Sequence, residues 1–150
     1  MLDEKNMLKY ETYRAMHMNL SKAMKNGFYY EAVFIEYAIL EDRLASILKY
    51  ARIPYVNSKG REINITDKLK KIENRPELSD RFYRERLSEP FLQRIREWLT
   101  RRNDLIHHLA NIPYDHESVR QTAEQGLELV RDVQNVSRSV TTRLKRNNSL

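Results

Sequence analysis

Residues 115–146 read DHESVRQTAEQGLELVRDVQNVSRSVTTRLKR, and within them Val119, Ala123, Gly126, Val130, Val133, Ser137, Val140 and Leu144 alternate steps of four and three without a slip. That is the spacing of one narrow helix seam facing a neighbour along its whole length. Ala123, Gly126 and Ser137 are small, so the neighbour can come close. After Asp132 the segment holds no acid but keeps Arg138, Arg143, Lys145 and Arg146. Such a tail is either a basic arm for a polyanion or a frayed helix end, the second being the commoner. Residues 1–133 are accordingly assigned to a helical bundle, and 134–150 to a basic helical extension and tail.

Working back from that seam, residues 28–51 carry a second stripe, with Val33, Tyr37, Leu40, Leu44, Ile47, Leu48 and Ala51 at helical spacing. This should be the central helix, broken at Ile53-Pro54 and followed by a loop from Tyr55 to Asn64. Ahead of it, Met7, Tyr10, Tyr13, Met16, Leu20 and Met24 mark a helix from Asp3 to about Lys25, closed by Asn26-Gly27, residues that tolerate a left-handed turn. Thr66 or Asp67 can cap a short helix through Ile72. An irregular piece follows around Pro76, then a helical segment from Ser79 to Leu87. Ser88 and Pro90 suit the cap and first turn of another long helix, running to about Asn111 before Pro113 stops it. Strand alternation is absent. The expected fold is an all-α, up-and-down bundle of four to five long helices with a short extra helix.

Composition agrees with that reading. Three Gly and four Pro leave little of the 150 residues for turns, and 41% hydrophobic content supports a real core rather than disorder. The absence of Cys removes disulfides, thiolate metal sites and cysteine nucleophiles. A net charge of +6 favours anionic partners, although it is also ordinary for a soluble surface. The sequence MLDEKNML is acidic where a signal peptide is basic, and no apolar run approaches the roughly 18 residues needed to span a bilayer. A cytoplasmic protein without a membrane partner is expected.

One charged residue does not fit its helix. On a wheel of about 100° per residue, Ile95, Trp98, Leu99, Leu105, Ile106 and Leu109 gather into a stripe with Arg102 at its centre. A guanidinium does not deprotonate and is costly to desolvate, so it needs a carboxylate, a row of carbonyls or a bound anion. Asn103 and His107, four apart, stack on one face at the border of the stripe. Together the three provide a fixed cation for phosphate oxygens, an orienting amide and an imidazole that titrates near neutral pH. RNA carries its own nucleophile in the 2′-hydroxyl, so its cleavage needs neither a metal nor a protein nucleophile.

The string Arg102-Asn103-Asp104-Leu105-Ile106-His107 resembles the arginine, polar residue, spacers and histidine signature of the HEPN superfamily (higher eukaryotes and prokaryotes nucleotide-binding). A helical bundle of about this length, with the motif late in the chain on a long helix, is similar to that family's domain. The resemblance implies a metal-independent, cofactor-free endoribonuclease acting on RNA, with two subunits juxtaposing their motifs in a homodimer. It makes Arg102 and His107 catalytic with Asn103 in support, and implies a toxin–antitoxin or other defence context with an antitoxin or other regulatory protein as partner. Arg101 and His108 flank the motif as substrate-binding residues. One departure from the tyrosine-modified toxins is Leu109, at the place where they carry tyrosine.

Plainer readings stand beside these. Arg102 can be neutralised by Glu36 or Glu41 on the central helix, and the protein can be a non-catalytic dimeric module binding a protein or nucleotide. His17 and His116 read as ordinary surface or boundary residues. His107, His108, Asp104, Asp115 and His116 lack the spacing that puts two ligands on one metal. Gly27, Gly60 and Gly126 stand alone, so no phosphate loop is available. Tyr10, Tyr13, Tyr29, Tyr30 and Tyr37 can stack bases but are more often packing residues. Lys68, Lys70 and Lys71 read as a solvated basic face.

Overall fold

The computed structural model describes residues 3–111 and 115–149. Its helices are α1 (Glu4–Asn26), α2 (Tyr29–Tyr50), α3 (Ile65–Asn74), α4 (Arg81–Arg86), α5 (Glu89–His107) and α6 (His116–Asn148), with a 3₁₀ turn at Pro76–Leu78. Paired extended backbone among the described residues is confined to an isolated bridge between Val56 and Glu62. The chain is an all-α bundle. No helix among the described residues is long and apolar enough to cross a membrane.

The centre of the bundle is the pair α2 and α6, packed side by side over their full length. Glu36 meets Gly126, the Ser137 hydroxyl faces the Arg43 carbonyl at 3.5 Å, and the Asn148 amide donates to the Tyr50 carbonyl at 2.9 Å. Both numbers rise together, so the two helices run parallel. All eight residues of the four-three seam are buried. The expected close approach at Ala123, Gly126 and Ser137 is therefore present, and it is made by α2. Leu40, Leu44 and Leu48 have no exposed surface, and burying each such side chain contributes about 2 kcal/mol. Helix α5 lies antiparallel on α6, with Trp98 Nε1 donating to the Thr122 carbonyl at 3.0 Å and Arg94 reaching Asp132 at 2.9 Å. α1 folds back along α2, where Lys9 lies 3.6 Å from Asp42.

The helix ends follow local chemistry. Asp3 caps α1 by accepting from the Asn6 amide at 2.8 Å, and Gly27 closes the helix at φ 76°. The apolar stripe of α1 is covered from Tyr13 onward, but Met7 and Tyr10 are 51% and 64% exposed because the helix extends past the core. α3 starts earlier than Thr66 or Asp67. Asn64 Oδ1 accepts from the Asp67 amide at 2.8 Å and so takes the cap, leaving Asp67 in the first turn.

Lys68, Lys70 and Lys71 do not form one solvated face. Lys68 is fully buried and reaches Glu62 at 2.9 Å, while Lys71 donates to the Pro54 carbonyl at 2.6 Å, so the two ammonium groups clamp the preceding loop onto α3. α5 stops at His107, short of Asn111, in a turn where the His108 amide bonds the Asp104 carbonyl at 3.1 Å. Pro113, the expected terminator, lies outside the described residues. α6 runs unbroken across residues 133 and 134, with Val140 and Leu144 in the core. The tail does not fray, because Asn147 donates to the Tyr83 hydroxyl at 3.2 Å and Asn148 to Tyr50.

Candidate functional site

α5 is started by Ser88, whose hydroxyl accepts from the Phe91 amide at 3.4 Å, with Pro90 in the first turn. Its buried face comprises Leu92, Ile95, Trp98 and Leu99 and ends there. Leu105 and Ile106 are half-buried and Leu109 is 54% exposed. Arg102 is therefore not at the centre of a buried stripe. It lies just beyond the last buried residue, where α5 runs out over the edge of the core.

A half-buried guanidinium still needs a seat, and α2 provides it. The Arg102 guanidinium carbon lies 4.0 Å from the Tyr37 ring centroid and 5.9 Å from that of Phe34. Arg102 Nη1 donates to Asn103 Oδ1 at 3.1 Å, and Arg102 Nε is buried with no hydrogen-bond partner among the described residues. The aromatic face attracts the cation without neutralising it. Neither anticipated carboxylate forms an ion pair with it. Glu41 instead lies near enough to the Tyr37 phenol to act on its ionisation. Burial and the Glu41 charge hold the Tyr37 phenol above its usual range, while Arg102 acts in the opposite sense.

Glu36 faces α6 rather than Arg102. Its carboxyl fills the space that Gly126 leaves open: a Cβ at position 126 would lie 2.6 Å from Glu36 Cδ and 2.9 Å from Trp98 Cζ2. The Glu36 side chain has no exposed surface and neither oxygen has a hydrogen-bond partner among the described residues. Burial pushes its carboxyl up to about 9, so it is held neutral at pH 7.

The other motif residues fall on two faces. Asn103 and His107 are exposed, with His107 closing α5 about 7.5 Å further along the axis than Arg102. Among the described residues no hydrogen bond joins His107 to Arg102 or Asn103. Arg101 and His108 lie elsewhere, lining a cleft of about 510 Å³ between the end of α5 and the start of α6, together with Tyr30, Asp104, Asp115 and Gln125. Arg101 is bonded there to the Gln125 side chain. Arg101 and His108 thus face the cleft, whereas Arg102 is seated on α2 and His107 is exposed at the end of α5, about 140° further round the helix than Arg102. No group of three or more His, Asp or Glu side chains among the described residues is arranged to hold a metal ion.

Two histidines read as isolated have neighbours. His17 is half-buried, edge-on to Tyr13 at 4.7 Å and in contact with Gln134, and burial lowers its pKa, with Arg43 adding to the effect. His116 packs against Tyr29 at 5.1 Å. The sequence reading missed the seat made by Phe34 and Tyr37. Their spacing of three shows that they share a face of α2, but nothing local shows that this face meets Arg102. No family model, curated protein or solved structure matches the chain.

Proposed function

We propose that this chain is a metal-independent endoribonuclease of the HEPN kind, acting as a homodimer on single-stranded or loop RNA in a defence or toxin–antitoxin setting. The observation that carries the reading is the state of Arg102. Its cation is fixed in place by Tyr37 and Asn103, yet no carboxylate among the described residues pairs with it at the edge of the bundle. A guanidinium in that condition is ready to take the oxygens of a phosphodiester.

Cleavage then needs few parts. The 2′-hydroxyl loses its proton to a base and attacks phosphorus, the bond to the 5′-oxygen breaks, and that oxygen takes up a proton. The products are a 2′,3′-cyclic phosphate, or the 3′-phosphate left by its hydrolysis, and a 5′-hydroxyl. His107 serves as the general base or acid, and Arg102 stabilises the charge that grows on the phosphoryl oxygens. Asn103 holds the guanidinium plane. One imidazole per motif suits a pair of motifs brought together from two copies.

Incubating RNA with the protein in EDTA tests this. Cutting should persist with chelator, and both Arg102→Ala and His107→Ala should lose about a hundredfold or more of it. Cutting that is unchanged in both variants would refute the assignment. Phe34, 49% exposed beside Arg102, favours a second reading as a non-catalytic dimeric module binding a protein or nucleotide. That reading predicts no cleavage by the parent protein and loss of the dimer in Arg102→Ala.

A further inference from the structure

The basic end of α6, ordered instead of frayed, builds a groove with α4. Its floor is Phe82, and Arg138, Arg143 and Arg146 line it around a volume of about 480 Å³. Arg86 joins from the side, its guanidinium 3.5 Å from the Phe82 ring centroid, and the Arg143 guanidinium lies 5.0 Å from the same ring. Arg86 is held by bonds from Nε to Ser139 Oγ at 2.8 Å and from Nη1 to the Phe82 carbonyl at 3.0 Å. The remaining lining comes from Asn135, Ser139 and Thr142, and no acid contributes to it. None of the four arginines forms an ion pair among the described residues. Arg81, Arg94 and Arg96, by contrast, pair with Glu85, Asp132 and Glu73.

Two guanidiniums on one ring, with two more beside them and no counter-charge, repel one another unless an anion sits among them. We infer that this groove binds the phosphate backbone of single-stranded RNA. Arg138 to Arg146 covers about 12 Å of α6, enough to meet successive phosphates of one strand. Phe82 presents an aromatic face and the neutral side chains supply further polar groups, the combination a strand uses. An anionic membrane fits less well. None of the strongly exposed large apolar residues, among them Met7, Phe28 and Val56, borders the groove to insert into lipid. The groove lies about 20 Å or more along α6 from Gln125, the residue that meets Arg101 of α5. It is thus a site separate from Arg102, and RNA binding there does not require that the chain cut RNA.

The test is fluorescence anisotropy with a short labelled 2′-O-methyl RNA, which offers no 2′-hydroxyl for cleavage and so keeps binding apart from catalysis. The combined variant Arg138→Gln, Arg143→Gln, Arg146→Gln should bind about tenfold or more weakly, and the slope of log affinity against log salt should shrink by about two. These side chains are exposed, so circular dichroism should be unchanged. Arg131→Gln removes an exposed charge of α6 outside the groove and should stay within about twofold of the parent. Parent-like affinity and slope in the triple variant, or an equal loss in Arg131→Gln, overturns the inference. So does a loss seen with phosphatidylcholine–phosphatidylserine vesicles but not with RNA, which would assign the groove to a membrane.

Discussion

Glu36 and Arg102 show how differently one bundle treats two charges. Arg102 cannot shed its proton, so the fold places it at the rim, on an aromatic ring that leaves the charge intact. Glu36 can take one up, and it sits fully buried against Gly126 as a neutral acid, raised to about 9. The native state therefore keeps a proton that the unfolded chain releases near the ordinary value of 4.5. Stability is greatest below that value and falls as the pH rises toward 9, by up to about 1.4 kcal/mol per pH unit. Between pH 5 and pH 8 the melting temperature of the parent should drop steadily, and Glu36→Gln, which mimics the protonated acid, should flatten that drop. A Gln variant whose melting temperature falls as steeply as the parent's would show that another group titrates.

Two helix ends solve the same problem with different residues. α1 closes on Gly27 at φ 76°, which a glycine adopts without strain. After α2 the corresponding turn is made by Arg52 at φ 60°, where the Ile53 amide returns to the Leu48 carbonyl at 2.9 Å. A side chain in that conformation costs about 1 kcal/mol. Arg52 makes no ion pair among the described residues to offset it. Arg52→Gly is therefore expected to stabilise the protein by about 0.5–1 kcal/mol in urea unfolding, with an unchanged m value. A destabilised variant would mean that the Arg52 side chain holds the loop after α2. Both breaks are readable from Asn26-Gly27 and Ile53-Pro54, because caps and breakers act within a few residues of themselves. The early stop of α5 is not, since it depends on a turn that follows His107.

The molecule is polarised along the α2 and α6 pair. One end carries Arg102 and His107, flanked by exposed Phe34 and Leu109, and the other carries the arginine groove. An apolar rim beside the motif suits a second copy of the chain, which would supply the second imidazole. If cleavage belongs to that pair, specific activity should fall on dilution in step with dissociation of the dimer. Sedimentation run alongside the assay checks this, and constant activity in a dilute monomer would remove the dimer from the mechanism. A long RNA held at the distal groove would also raise the local concentration of phosphodiester near Arg102.

The helices, the seam of α6 and the small residues that permit a close neighbour were legible in the order of the amino acids, whereas the identity of that neighbour as a parallel α2 was not. Periodicity and capping depend on neighbours three or four positions away, and Val119 through Leu144 carry that information without help from the rest of the chain. The motif residues of α5 were legible as types. Their surroundings were not. Whether Arg102 would meet Glu36, Glu41 or an aromatic ring, whether Lys68 would be buried, and whether the arginines after Asp132 would fray or build a groove depended on side chains brought in from α2, α3 and α4. The free energy of a charge is set by the dielectric and the partners around it, and those come into being only when distant helices pack.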